Sequence, residues 1–120
     1  MKIKKIIFKA REEALLETEE MPDAPIGDDE ISGSTLVSAV SPGTELAVYR
    51  GLMKACHFPC ASGYAAVFEA ECIGSNVKRF KAGDRVFCMG NHKSFQRIRE
   101  CDGILVPHAL PAERALWALP

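Results

Sequence analysis

Gly74-Ser75-Asn76-Val77-Lys78-Arg79-Phe80-Lys81-Ala82-Gly83-Asp84-Arg85-Val86 is the stretch on which the reading of this chain turns. It opens on one turn signal, Gly74-Ser75-Asn76, and closes on another, Gly83-Asp84. Gly74 is expected to end a strand at a position that needs a positive φ, which glycine alone adopts without steric cost. Just before it, Tyr64 to Ile73 alternates. Ala66, Phe68, Ala70 and Cys72 fall on one face, and Val67, Glu69, Glu71 and Ile73 on the other. A period of two predicts a strand. Just after it, Arg85 to Met89 predicts the next.

Working outward, residues 2–8 and 13–20 read as strands joined at Arg11-Glu12. Met21 to Asp29, with Pro22, Pro25, Gly27 and three aspartates, reads as a loop. Ser34 to Val40 is β-branched and alternating, so it reads as a strand that Ser41-Pro42-Gly43 breaks. Thr44 to Arg50 forms a short predicted helix, with Glu45 at its positive end and Gly51 as its stop. Residues 52–62 are irregular. Phe95 to Arg99 and Gly103 to Val106 read as strands, with Gly90-Asn91 as a turn before them. Pro111-Ala112-Glu113 opens a helix expected to run to Leu119. Many short strands and few helices predict a mostly β domain, a small barrel or sandwich.

The bulk properties narrow the function classes. The 120 residues fit one domain, and 48% hydrophobic with 26% charged residues is ordinary for a globular protein. A net charge of −1 offers no electrostatic case for nucleic acid or anionic lipid. The basic residues from Lys78 to Arg85 are interleaved with Phe80 and Asp84, as on a solvated face. No apolar run reaches the roughly 20 residues of a membrane span. Five cysteines, an odd count with no secretory leader ahead of them, suggest reduced thiols and a cytoplasmic location.

The spacing of Gly63, Gly74, Val77, Phe80 and Gly83-Asp84-Arg85-Val86 resembles the signature of the medium-chain dehydrogenase/reductase superfamily. Ser41-Pro42-Gly43-Thr44-Glu45-Leu46 is similar to that superfamily's C-G-[ST]-D-L segment. Pro107, Leu110, Pro111 and Ala115 resemble its exit toward the nucleotide-binding domain. The resemblance implies a GroES-like, partly open β-barrel with a few short helices over residues 1–120. Fold resemblance alone does not establish chemistry.

The superfamily's zinc-dependent members hold a catalytic zinc that polarises the reacting oxygen. By the resemblance, Pro42 stands in place of the cysteine ligand, Tyr64 in place of the histidine and Ala65 in place of the glutamate beside it. After Val86 only Cys88 and Cys101 remain of a four-cysteine structural lobe, so zinc independence is expected. Thr44 matches the superfamily's proton-relaying hydroxyl, and it is also a residue type that bonds backbone at a helix start. Tyr64 is a candidate hydrogen-bond donor to a substrate oxygen or a half-buried strand aromatic. Glu45, in place of an aspartate, and His92, near Ser94 and Phe95, are further candidates for the cleft. An alternative metal set, Cys56, Cys60, Cys88 and His92, has loose ligand spacing.

No Gly-x-Gly-x-x-Gly follows a predicted strand. The Rossmann domain of the superfamily is therefore expected to be absent from these 120 residues. NAD(P) is implied for a full-length relative but not for this chain. The resulting expectation is the substrate-binding portion of a zinc-independent NAD(P)-dependent oxidoreductase, not competent alone. The alternative is a stand-alone GroES-like binding or assembly module. In both, the C-terminal helix, with Leu116, Trp117 and Leu119 partly exposed, is expected to meet a second copy or the missing nucleotide-binding domain.

Overall fold

The computed structural model describes residues 1–118. Its strands are β1 (Lys2–Ala10), β2 (Glu13–Glu20), β3 (Glu30–Ser38), β4 (Cys60–Ala61), β5 (Ala66–Ile73), β6 (Arg85–Cys88), β7 (Phe95–Arg99) and β8 (Ile104–Val106). The helices are α1 (Pro42–Tyr49) and α2 (Ala112–Ala115), the latter followed by a 3-10 turn over Leu116–Ala118. A three-stranded sheet runs β2-β1-β4 and a five-stranded sheet runs β7-β3-β5-β6-β8. Every pairing is antiparallel, and the sheets do not close on themselves. The fold is mostly β, a partly open GroES-like barrel. No helix among the described residues is long and apolar enough to cross a membrane.

β5 is central because both its faces are covered. Ala66, Phe68 and Ala70 pack with Ile31, Phe80, Val86 and Cys88 on one face. Ala65 and Val67 pack with Val106, Ala115 and Leu116 on the other. Alternation identified the first face but placed Cys72 within it; Cys72 is exposed at the far end of the strand. β3 begins at Glu30, earlier than its alternating stretch suggests, because fully buried Ile31 already belongs to the core. β4 appears inside the stretch that reads as irregular, added to β1 by the Ile7–Ala61 and Phe8–Cys60 pairs.

Gly83 has the left-handed φ of 91° that its turn requires. Gly74 does not. A side chain there would meet the carbonyl oxygens of Gly27 at 2.2 Å and Asp28 at 2.4 Å. Gly74 is therefore required for close approach of the 21–29 loop, not for a positive φ. That loop is pinned by Arg97, whose guanidinium donates to the carbonyl oxygens of Ala24 and Pro25 and to the Glu30 carboxylate. The same carboxylate accepts the Gly27 amide, and both partners hold its pKa below the usual carboxylate range.

At the C-terminal end, Leu116 is buried in the second core cluster, contrary to the exposure expected of it, while Trp117 is 84% exposed. The helix passes into a 3-10 turn at Leu116, and Ala115 and Leu116 are both buried there. Leu119 lies outside the described residues.

Candidate functional site

The two sheets are laced together by the segment His92-Lys93-Ser94. The Ile6 amide donates to the His92 carbonyl, the Ser94 amide to the Lys4 carbonyl, and the Thr35 amide to the Ser94 carbonyl. The His92 amide in turn donates to the carbonyl of Ser62, whose hydroxyl caps the Ile6 carbonyl at 2.5 Å. The His92 backbone is thus tied to β1 through its carbonyl and to Ser62 through its amide. Gly63 completes the seat: it has a φ of 83°, and a side chain on it would fall 2.6 Å from the ring.

The ring is the middle of a hydrogen-bonded chain. Its Nε2 lies 2.7 Å from Glu45 Oε1 and its Nδ1 2.6 Å from Ser38 Oγ. His92 and Glu45 are each 8% exposed, whereas Ser38 at the end of β3 is exposed. A carboxylate only accepts, so with a neutral ring Nε2 carries the hydrogen and Nδ1 receives the serine hydroxyl. The other Glu45 oxygen accepts the Ser41 amide at 2.5 Å, so the carboxylate also caps α1, whose first helical residue is Pro42. Among the described residues no buried side-chain polar atom lacks a partner.

Beside the pair lies a hollow of about 270 Å³ lined by Ile6, Phe8, Val40, Glu45, Leu46, Tyr49, Ser62 and His92, and its surface is almost wholly apolar. Phe8 and Tyr49 meet edge to face at 5.5 Å, and the Tyr49 hydroxyl donates to the Glu12 carbonyl at 2.9 Å. α1 is thereby fastened to the β1–β2 turn. A larger groove of about 590 Å³ runs along β1 and β2, but lysines and glutamates line it beside its apolar residues. The smaller hollow is the more apolar of the two and better suits a small apolar ligand.

The structure therefore brings Glu45 and His92 together and leaves Thr44 and Tyr64 apart from them. Thr44 is exposed on α1. Tyr64 is partly buried against the second core cluster. The alternative metal set does not assemble: no group of three or more His, Cys, Asp or Glu among the described residues is placed to hold a metal ion. Cys88 is buried in the first core cluster, and both His92 nitrogens already have partners. The zinc positions implied by the resemblance do not fit a metal either. Pro42 offers no side-chain donor, and Tyr64 stands among apolar groups.

Three contributors escaped the sequence reading: Ser38, Ser62 and the Phe8–Tyr49 wall. Ser38 and His92 are 54 residues apart, and no local pattern links them. Ser62-Gly63 carried a signal, since a glycine just ahead of a buried strand often marks a close approach.

No family model and no curated protein matches the sequence. Solved structures do match. The human synaptic vesicle membrane protein VAT-1 homolog-like protein aligns at 18% identity over 97% of this chain and 39% of its own, with a TM-score of 0.81. Etr1p, a 2-enoyl thioester reductase from Candida tropicalis in complex with NADP and crotonyl-CoA, aligns at 21% identity over 89% of this chain and 34% of its own, with a TM-score of 0.70. A quinone oxidoreductase from Pseudomonas syringae pv. tomato aligns at 21% identity over 95% and 36%, with a TM-score of 0.71. The chain thus spans well under half of each. Its 120 residues have the fold of the GroES-like portion of the medium-chain dehydrogenase/reductase superfamily.

Proposed function

We propose that these residues are the substrate-binding portion of a zinc-independent, NAD(P)-linked oxidoreductase that reduces a small, largely apolar carbonyl or quinone. The observation that carries the reading is the apolar hollow bordered by the buried Glu45–His92 pair, within a fold that solved oxidoreductases share. Zinc independence is supported by Pro42 and Tyr64 at the two implied ligand positions. The nicotinamide belongs to a nucleotide-binding region outside these residues, so the 120 residues alone do not turn over. Five free cysteines support a cytoplasmic setting.

Two titrations test this. With NADH or NADPH, calorimetry on the 120-residue chain is expected to show no binding tighter than about millimolar. With cyclohexanone, NMR shift changes are expected to gather on Phe8, Leu46, Tyr49 and His92. Micromolar nucleotide binding, or ketone shifts that avoid the hollow, would overturn the proposal. A second reading, a stand-alone assembly module, is favoured by one observation, the 84% exposure of Trp117. Light scattering that finds a strict monomer at all concentrations removes it.

A further inference from the structure

We infer that Ser38, His92 and Glu45 form a nucleophile–base–carboxylate triad, and that Ser38 takes the acyl group of small apolar esters. This activity lies beyond the oxidoreductase reading and does not depend on it. Three observations carry it. The first is the order of contacts. The Ser38 hydroxyl lies 2.6 Å from His92 Nδ1, and the other ring nitrogen, Nε2, lies 2.7 Å from Glu45 Oε1. A hydroxyl within hydrogen-bond reach of a base, with the base oriented by a third group, is the arrangement that activates a serine. The second is the division of exposure. His92 and Glu45 are each 8% exposed, while Ser38 is open to solvent. The base and its carboxylate are kept from bulk water, and the nucleophile is offered outward. The third is the seat of Ser38. Strand β3 outruns β7, since their pairing ends at Ser34–Phe95. The end of β3 therefore borders an open groove of about 300 Å³, which Ser38 and His92 share with Leu16, Leu36, Lys4 and Lys93. The leucines suit an apolar acyl group, and the lysines supply charge of the sign that an oxyanion needs.

The two ring nitrogens keep fixed roles throughout. With a neutral ring, the ionised Glu45 carboxylate holds the hydrogen on Nε2, which leaves Nδ1 bare to receive the serine proton. Ser38 Oγ bonds to the ester carbonyl carbon as its proton passes to Nδ1, and the carbonyl electron pair moves onto oxygen. The imidazolium so formed lies against the Glu45 carboxylate, which accepts a hydrogen bond and never takes the proton. Collapse of the tetrahedral adduct breaks the bond to the alkoxy oxygen. Nδ1 gives its proton to that oxygen, so an alcohol leaves and acyl-Ser38 remains. Water then repeats the steps: its proton goes to Nδ1, its oxygen bonds to the acyl carbon, and Ser38 Oγ departs and reclaims the proton from Nδ1. One ester and one water become one acid and one alcohol, with no change of charge on the protein and no change of tautomer. Ser38 and His92 touch the reacting atoms and are catalytic; Glu45 acts through His92 and is a positioning residue.

The test uses the 120-residue chain and needs no nicotinamide. An alkyl fluorophosphonate bonds to an activated serine oxygen and expels fluoride. It is expected to mark Ser38 about a hundredfold faster than exposed Ser75, as located by peptide mass mapping. p-Nitrophenyl butyrate should release nitrophenolate in a reaction that Ser38→Ala removes. The sharper variant is Glu45→Gln, which keeps both hydrogen bonds of the side chain. Its amide oxygen accepts the Ser41 amide, and its amide nitrogen donates to Nε2. The ring hydrogen must then sit on Nδ1, where it bars receipt of the serine proton. Histidine-labelled NMR should show that change of tautomer, and labelling of Ser38 should fall about a hundredfold at a little-changed urea midpoint. Equal labelling of Ser38 and Ser75, a ring already protonated on Nδ1 in the unaltered chain, or labelling indifferent to Glu45→Gln overturns the triad. Ketone binding to the hollow is read in a separate titration, so the triad and the oxidoreductase reading stand or fall independently.

Discussion

The two halves of the molecule are built on opposite principles. Around β5 the interior is a largely apolar core: Phe68, Ile31, Val67 and Val86 are fully buried beside aliphatic and aromatic neighbours and the Cys88 thiol. Between α1 and β1 the buried groups are instead the Glu45 carboxyl, the His92 imidazole and the Ser62 hydroxyl, with exposed Ser38 bonded to the imidazole, beside an apolar hollow. Burial of apolar area stabilises the first region in proportion to its area. The second gains little, because desolvating a carboxylate and an imidazole offsets most of what their attraction returns. A region that adds little to stability yet keeps its polar groups fully partnered is organised for something other than folding.

The largest expected effect breaks the first half. Phe68→Ala removes a ring that is fully buried on β5, and the cavity should cost about 3–5 kcal/mol, read as a lowered urea midpoint with the slope little changed. The next sharpens the contrast. His92→Ala should cost about 3 kcal/mol by leaving Glu45 buried without its partner. Replacing both together, Glu45→Leu with His92→Phe, should recover most of that loss while abolishing ketone shifts at the hollow. If the double variant is as unstable as the single one, the pair is structural and the contrast collapses. Gly74→Ala should cost about 2–3 kcal/mol, because the backbone of Gly27 and Asp28 leaves no room for a methyl group.

The same contrast explains what could be read from the sequence. The apolar half was legible because its signals are local. Alternation in β5, the turn at Gly83-Asp84 and the anchors Val77 and Phe80 are all set by neighbours in the chain. The polar half was legible only in pieces. Glu45 and His92 could each be singled out, but nothing in one sequence says that residues 47 apart share a hydrogen bond. Thr44 and Tyr64 drew attention through the resemblance, and the structure turns Thr44 to solvent and Tyr64 into a core cluster. The role of Gly74 was legible as a need for glycine but not as its reason, since close approach depends on a loop some 47 residues upstream (74 minus 27).

Cys88 gives a gentler probe of the apolar half. Burial pushes its thiol up to about 11 from an ordinary value of 9.0, with Lys93 opposing weakly. The folded state therefore keeps a proton that the unfolded state loses. Stability from this group is complete below pH 9 and declines as pH rises from about 9 to 11, by on the order of 2 kcal/mol. Alkylation at pH 8 should label exposed Cys72 and Cys101 well before Cys88. Rapid labelling of Cys88 in the folded chain would mean that the core opens far more readily than its burial implies.

The smallest effect concerns Trp117. A side chain that is 84% exposed contributes almost nothing to folding, so Trp117→Ser should change stability by no more than about 0.5 kcal/mol. As the only tryptophan in the chain, it also reports its own surroundings. Its emission should have the long-wavelength maximum of a hydrated indole at low concentration. If it meets a second copy or a nucleotide-binding region, the maximum should move to shorter wavelength as that partner is added, and Trp117→Ser should weaken the association without weakening the fold. An emission maximum that stays put while the chain associates would place the contact elsewhere. Leu116, buried one residue away, is the internal control: Leu116→Ala should cost stability, about 2 kcal/mol or more, whether or not a partner is present.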